Sequence, residues 1–98
     1  MRILLTGATG FIGRAVAQAL EQRGHTVVRV QRSAGPPGQA VVQADFAQVP
    51  SRDWWLPRLA GIDAAVNSVG ILREQGGQTF HALHAEAPGE LFRACVAA

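Results

Sequence analysis

The sequence predicts an α/β fold: a parallel sheet in the strand order 3-2-1-4, flanked by helices. Short apolar or β-branched runs alternate along the chain with stretches of helical apolar spacing. Such alternation means parallel strands joined by right-handed crossovers. Three glycines at spacings of three separate the first run from the first helical stretch, as a tight strand-to-helix turn requires. With 98 residues, the chain has the size of one small domain.

The first half of the chain supplies two strands and a helix. Arg2–Thr6 is a short apolar run ended by glycine, which is typical of a buried parallel strand. Apolar residues recur at helical spacing from Phe11 to Arg23, and Gly24 follows where a C-cap glycine belongs. The β-branched residues of Thr26–Val30 predict the second strand. Residues 33–38, SAGPPG, predict a loop by their proline and glycine content.

The second half repeats the alternation. Ala40–Ala44 is a short third strand, and a helix is expected from Ser51 to about Ala60. Asp63–Val69 is the fourth strand. Thr79 resembles an N-cap that opens a final helix, and Pro88 should kink that helix near residue 84 or split it in two.

The glycines at positions 7, 10 and 13 fit a binding site for a diphosphate. Gly7 permits the tight turn, Gly10 lets a diphosphate approach the backbone, and Gly13 lets the helix pack closely on the strand. The free amides and the positive dipole end of the helix would face the pyrophosphate. The alternative is that these glycines only form a turn and bind nothing. The context disfavours it, because a strand precedes the motif, a helix follows it and a second strand comes about twenty residues later.

The segment TGATGFIG, residues 6–13, resembles the nucleotide-binding motif of extended and atypical short-chain dehydrogenases/reductases (SDRs), the NAD-dependent epimerase/dehydratase group. GHTVVRVQR resembles that family's second strand, and ADF its acidic motif after the third. VNSVGIL and TFHALHAEAPGELFRAC are most similar to the atypical branch that includes the nucleotide-binding accessory subunit of respiratory complex I. The resemblance implies an NAD(P)-binding Rossmann-like domain over residues 1–98, the N-terminal half of a doubly wound domain in a longer chain.

The resemblance also indicates which nucleotide binds. In this family a carboxylate at the end of the second strand favours NAD, but the matching position is Gln31 and the next residue is Arg32. An arginine there can pair with a 2′-phosphate, which favours NADP(H) over NAD; the alternative is an ordinary solvated arginine. Arg14 could add a second positive charge. By resemblance, Asp45 would bond the adenine amino group and Phe46 would lie beside the ring; Asp45 could equally be a loop or cap residue.

The expected cofactor-binding residues therefore lie in the glycine turn and after the second, third and fourth strands. They are Gly7, Thr9, Gly10, Phe11, Ile12, Gly13, Arg32, Asp45, Phe46, Ser68, Val69 and Gly70. No metal site is expected, because His81 and His84 lack a third ligand and fit an ordinary helix face better. Asn67 fits a satisfied structural amide better than a catalytic group.

SDR catalysis uses a tyrosine with a lysine four residues later, and this chain contains neither residue. We therefore expect no catalytic residue here and no activity of the chain alone. The longer protein would be an NAD(P)-dependent oxidoreductase, epimerase or dehydratase acting on a small molecule. The alternatives are a non-catalytic dinucleotide-binding or sensor module and a scaffold with an empty site.

Composition narrows the partners and the compartment. The net charge is +2 and the arginines are spread along the chain, so the sequence has no basic cluster of the kind that binds nucleic acid. The apolar run at residues 3–5 is too short for a signal peptide or a membrane span, so the cytoplasm is the default. One cysteine excludes an internal disulfide. If a fifth strand is absent, the fourth strand has an unpaired edge. We then expect self-association through that edge, or else poor folding of the chain alone.

Overall fold

The structure is a computed structural model and describes residues 1–69 and 85–98. Its strands are β1 (Arg2–Thr6), β2 (Thr26–Gln31), β3 (Val41–Gln43) and β4 (Ala64–Asn67), and its α-helices are α1 (Phe11–Gln22), α2 (Arg52–Trp55) and α3 (Ala87–Ala97). Two 3-10 helices span Phe46–Gln48 and Leu56–Leu59. The expectations for Gly70, Thr79, His81 and His84 lie outside the described residues.

The four strands form one parallel sheet in the order β3-β2-β1-β4, which confirms the predicted order. Leu4 stands at the centre, paired in register with Val28 of β2 and Ala65 of β4. Leu4 and Leu5 are fully buried, as the continuous apolar run of β1 predicts for a central parallel strand. Strands running in the same direction bring all four carboxyl ends to one edge of the sheet.

Helix α1 packs on the sheet through small side chains. Ala17 of α1 lies in one core cluster with Leu5, Ala8 and Val27. The helical spacing predicts a buried face of Ile12, Ala15, Val16, Ala19 and Leu20, and this is only partly right. Val16 and Leu20 pack against the cluster, whereas Ile12, Ala15 and Ala19 are exposed. This packing holds the beginning of α1 beside the end of β1.

The connection between β2 and β3 spans residues 32–40 and contains no helix. Within it, the amide of Gln39 donates to the carbonyl of Pro36 at 3.3 Å, and Gly38 has a φ of +90°. Pro37 and this glycine are the central residues of a type II turn. The predicted loop is confirmed. Strand β3 is shorter than predicted, at three residues.

A second compact unit contains residues 45–60 and, in its described part, 85–98. Ser51 caps α2 by accepting a hydrogen bond from the amide of Trp54 at 3.2 Å, so the predicted start of this helix is correct. The predicted α-helix to residue 60 is wrong: after one turn the chain continues as a 3-10 helix. Pro57 has no N–H to donate, which ends the α-helical bonding. Trp55 is fully buried in this unit.

Glu90 of α3 joins two elements of the second unit. Its carboxylate accepts the amide of Arg52 at 2.9 Å and lies 3.1 Å from the Arg93 guanidinium. These contacts hold the pKa of the Glu90 carboxyl below its usual range. The hydrogen bond from the Arg52 amide contributes most, and the hydrogen bond from Arg93 comes next. Pro88 is the second residue of α3, and residues 85 and 86 before it are π-helical.

In the described part of the chain, no helix is long and apolar enough to cross a bilayer. Those same residues also contain no cluster of three or more His, Cys, Asp or Glu side chains that could hold a metal ion.

Candidate dinucleotide site

Two of the three glycines are required by the backbone itself. Gly7 follows β1 with a φ of +65°, and a Cβ there would lie 2.7 Å from the backbone carbonyl of Ser68. A Cβ on Gly13 would lie 1.9 Å from the Gly7 carbonyl oxygen. Neither site has room for a side chain, because the obstacle is backbone in both cases. The turn and the close packing of α1 on β1 explain these two residues without a ligand.

Gly10 is different, since the fold leaves room at this position. It is the N-cap of α1 with an ordinary φ of −75°, and a Cβ would meet only the Gly7 oxygen, at 3.4 Å. It brings no side-chain cap to the helix, so the first-turn amides keep their capacity to bind an external acceptor. Next to it, Phe11 and Ile12 are 91% and 66% exposed.

The ends of β1 and β4 are joined by a polar network. The hydroxyl of buried Thr6 donates to Oδ1 of Asn67 at 2.5 Å and accepts the amide of Ser68 at 3.1 Å. The Ser68 hydroxyl donates to the Thr6 carbonyl at 2.5 Å, and the Val69 amide lies 3.4 Å from Oδ1 of Asn67. The network fixes residues 67–69 against Gly7. The side-chain amide of Asn67 accepts hydrogen bonds from Thr6 and Val69 in this network.

An open groove of about 600 Å³ lies beside the glycine turn, where β2 ends. Thr9, Arg14, Gln31 and Ser33 are among its lining residues. Nε of Arg14 donates to the carbonyl of Thr9 at 3.0 Å, which holds the guanidinium at the groove wall.

Arg29 also lines this groove, but its charge is balanced. Its guanidinium pairs with Glu21 at 2.9 Å, and the arginine side chain is only 15% exposed. Arg14, by contrast, donates to a neutral carbonyl. An anion entering the groove would therefore meet the charge of Arg14.

The remaining expected residues are placed differently. Arg32 is exposed on the connection after β2, next to the groove-lining Gln31 and Ser33, and is not itself a lining residue. Asp45 caps the first 3-10 helix by accepting the Ala47 amide at 2.9 Å, which is the alternative role that the sequence left open. Phe46 is only 5% exposed and packs edge-on against Trp55 at 6.0 Å.

Some of these features had no clear signal in the sequence. The groove depends on how the connection 32–40 folds back on β2. Glycine and proline in a loop predict a turn, but they do not predict which side chains the turn brings together. The neighbouring positions of Gln31 and Gly35 could be found only from the fold.

A parallel sheet whose central strand leads through a glycine turn into a helix N-terminus defines the chain as a Rossmann-like α/β protein. The chain belongs to the NAD dependent epimerase/dehydratase family, whose model matches residues 3–91. The family resemblance of the glycine motif is thereby confirmed. The narrower likeness to the complex I accessory branch stays a prediction.

Individual proteins similar to this chain support the same family assignment. The human epimerase family protein SDR39U1 is 40% identical over 70 residues, which are 71% of this chain and 20% of that protein. UDP-N-acetylglucosamine 4-epimerase from Bacillus cereus is 25% identical, with a TM-score of 0.74 over 97% of this chain and 32% of that one. Uronate dehydrogenase from Agrobacterium tumefaciens, solved in complex with NAD, is 26% identical, with a TM-score of 0.74 over 98% of this chain and 36% of its own. The chain spans about a fifth of the length of the curated relatives it matches.

Proposed function

We propose that residues 1–98 form an NAD(P)-binding Rossmann domain, the N-terminal part of a longer SDR-type oxidoreductase, epimerase or dehydratase. The observation that carries the proposal is Gly10. The fold has room for a Cβ there, yet the residue is glycine, at the N-terminus of a helix with no side-chain cap. A diphosphate that approaches the backbone amides would account for it. The family membership and the NAD complex of a structural relative support a nicotinamide dinucleotide.

The binding residues follow from this placement. The pyrophosphate would lie over Gly10 and the amides of residues 11–13, while Phe11 and Ile12 would cover apolar parts of the cofactor. Ser68, Val69 and Gly70 would line the ribose and pyrophosphate with backbone, and Gly7, Thr9 and Gly13 would shape the turn beneath. We keep Asp45 and Phe46 as the proposed adenine contacts, by family resemblance.

NADP(H) is the favoured cofactor. No carboxylate stands at the end of β2, where one would repel a 2′-phosphate. Arg14 lies on the wall of the adjacent groove, and Arg32 follows Gln31 at the end of β2. Two guanidinium groups near one phosphate give charge-assisted, bidentate hydrogen bonds that NAD lacks.

Catalysis would belong to another part of the longer protein. These 98 residues contain no tyrosine and no lysine, so the acid/base pair of the family is not among them. The same observation favours a second candidate, a dinucleotide-binding accessory or sensor module without chemistry. A Tyr-x-x-x-Lys motif further along the full-length sequence, with hydride transfer from bound NADPH, would support the enzyme. Tight binding without that motif and without turnover would support the module.

The Gly10→Val variant tests the proposed site. A valine side chain would occupy the path of the diphosphate, and losing one or two amide–phosphate bonds should raise the Kd for NADPH roughly tenfold to a hundredfold. The readout is titration of the full-length protein with NADPH and NADH, beside a thermal melt. Gly89→Val in α3 is the matched control, since a Cβ there meets its nearest atom at 3.5 Å, close to the 3.4 Å at Gly10. Unchanged affinity in a folded Gly10→Val protein would refute the proposal.

A further inference from the structure

We propose that Gln31 and Gly35 are positioning residues for cofactor selection. They fold the connection 32–40 onto the end of β2 and so fix where Arg32 and Ser33 meet the 2′-phosphate of NADP(H). The inference rests on the proposed dinucleotide function and deepens it. By family resemblance, the residue at the end of the second strand would contact the ribose directly. We assign Gln31 a different role, in which it holds the backbone of the connection.

A connection of this kind needs specific contacts to hold one shape. Parallel strands are normally joined by a crossover of a dozen or more residues, usually with a helix. Here nine residues without a helix join β2 to β3. An irregular segment loses about 1–2 kcal/mol of backbone entropy per residue on ordering, so defined interactions must offset that loss.

Two glutamines hold the first half of the connection. Nε2 of Gln31, the last residue of β2, donates to the carbonyl of Ser33 at 3.0 Å. Nε2 of Gln43 in β3 lies 3.5 Å from the carbonyl of Arg32. The backbone of the arginine and the serine is thereby tied to both strands. The side-chain amide of Gln31 therefore donates to the backbone of the connection. A residue that binds the ribose would donate to the ligand instead.

Gly35, near the middle of the connection, lets the chain pass too close to β3 for a side chain. A Cβ at this position would lie 2.6 Å from Cγ2 of Val41, the first residue of β3. It would also lie 3.3 Å from Oε1 of Gln39 and 3.4 Å from Nε2 of Gln31. The β-branched valine is stiff at χ1 and cannot yield easily. A side chain at position 35 would push the connection away from β3.

The connection forms one wall of the groove, and Arg14 lies on another. Ser33 and Gly35 both line the groove, and the Arg14 guanidinium is held by the carbonyl of Thr9. NADP and NAD differ only in the 2′-phosphate. A displaced wall should therefore weaken the phosphate contacts and leave the diphosphate contacts of the glycine turn intact.

The experiment measures Kd for NADPH and for NADH on the full-length protein and on three variants: Gln31→Ala, Gly35→Ala and the double variant. Each single change should raise the Kd for NADPH about tenfold, as expected for a weakened charge-assisted contact, and the Kd for NADH less than about twofold. Because both residues act on one segment, the double variant should lose little more than either single variant.

Gln48→Ala and Gly89→Ala are matched controls, an exposed glutamine and a glycine with room for a methyl group. If the NADPH losses of the two single variants simply multiply, or if NADH binding falls equally, the positioning role is wrong. An unchanged ratio of the two Kd values also overturns it. If Gly35→Ala does not fold, the Kd ratio of Gln31→Ala alone decides. Failure of the unmodified protein to bind either nucleotide would instead overturn the proposed function.

Discussion

The three glycines of the turn should respond differently to the same added methyl group, and Gly13→Ala is the most demanding test. The new Cβ would stand 1.9 Å from the carbonyl oxygen of Gly7. Since ordinary contact begins near 3.4 Å, α1 and the turn must separate by about 1.5 Å. The obstacle is backbone, so no rotamer change can relieve it.

The size of the effect follows from what the separation disturbs. Moving α1 away from β1 loosens the cluster of Leu5, Ala17 and Val27. Overpacking typically costs 1–3 kcal/mol, and a clash with backbone belongs at the upper end, so we expect a loss of about 3 kcal/mol in the free energy of unfolding. Gly10→Ala introduces only a 3.4 Å contact and replaces a tolerated N-cap by a poor one, which should cost about 0.5–1 kcal/mol.

Urea unfolding followed by circular dichroism gives both free energies. Parallel titrations with NADPH show whether binding and folding separate at the two positions. A Gly13→Ala protein within about 0.5 kcal/mol of Gly10→Ala would refute the steric reasoning, because the two expected losses differ by about 2 kcal/mol.

Four further predictions concern other parts of the chain. Arg32→Ala should raise the Kd for NADPH about tenfold to a hundredfold and leave that for NADH nearly unchanged; equal losses in titration would show that it does not read the phosphate. Glu90→Gln should lower the melting temperature at neutral pH, and the gap to the unmodified protein should shrink as the pH falls through the lowered folded pKa of Glu90, where the carboxylate becomes protonated; a gap that does not change with pH contradicts this. Thr6→Val should cost about 1–3 kcal/mol in urea unfolding because it removes the two hydrogen bonds that the Thr6 hydroxyl makes with Asn67 and with the Ser68 amide, whereas an unchanged midpoint would argue against the network. If no fifth strand pairs with β4, whose Val66 is 36% exposed and whose strand carries no lysine or proline, the 98-residue chain should self-associate through β4 or fold poorly alone; a well-folded monomer by light scattering at high concentration would exclude this.

The sequence predicts an element correctly where its local apolar pattern matches the burial that the tertiary structure imposes on it. The apolar run of β1 and the β-branched residues of β2 bury the residues that their patterns indicate. In α1 the spacing predicts the helix but only part of its buried face, because Ala17 is buried while Ile12 is 66% exposed. The helix after Ser51 was less predictable, because its capping signal is correct but Pro57 breaks the α-helical bonding after one turn. The 3-10 helix at Phe46–Gln48 was missed, since three residues carry no periodicity.

The candidate site shows the limit of motif reasoning most clearly in the two arginines. Arg32 was singled out by its position after β2, and Arg14 only as a second charge. Both arginines are exposed, but the Arg14 guanidinium lies on the groove wall and donates to the Thr9 carbonyl, whereas Arg32 lies on the neighbouring connection. A cation that a hydrogen bond already holds in place loses less freedom on binding than an unrestrained one. The 2′-phosphate should therefore depend on Arg14 at least as much as on Arg32, although only the latter occupies the position that the motif marks.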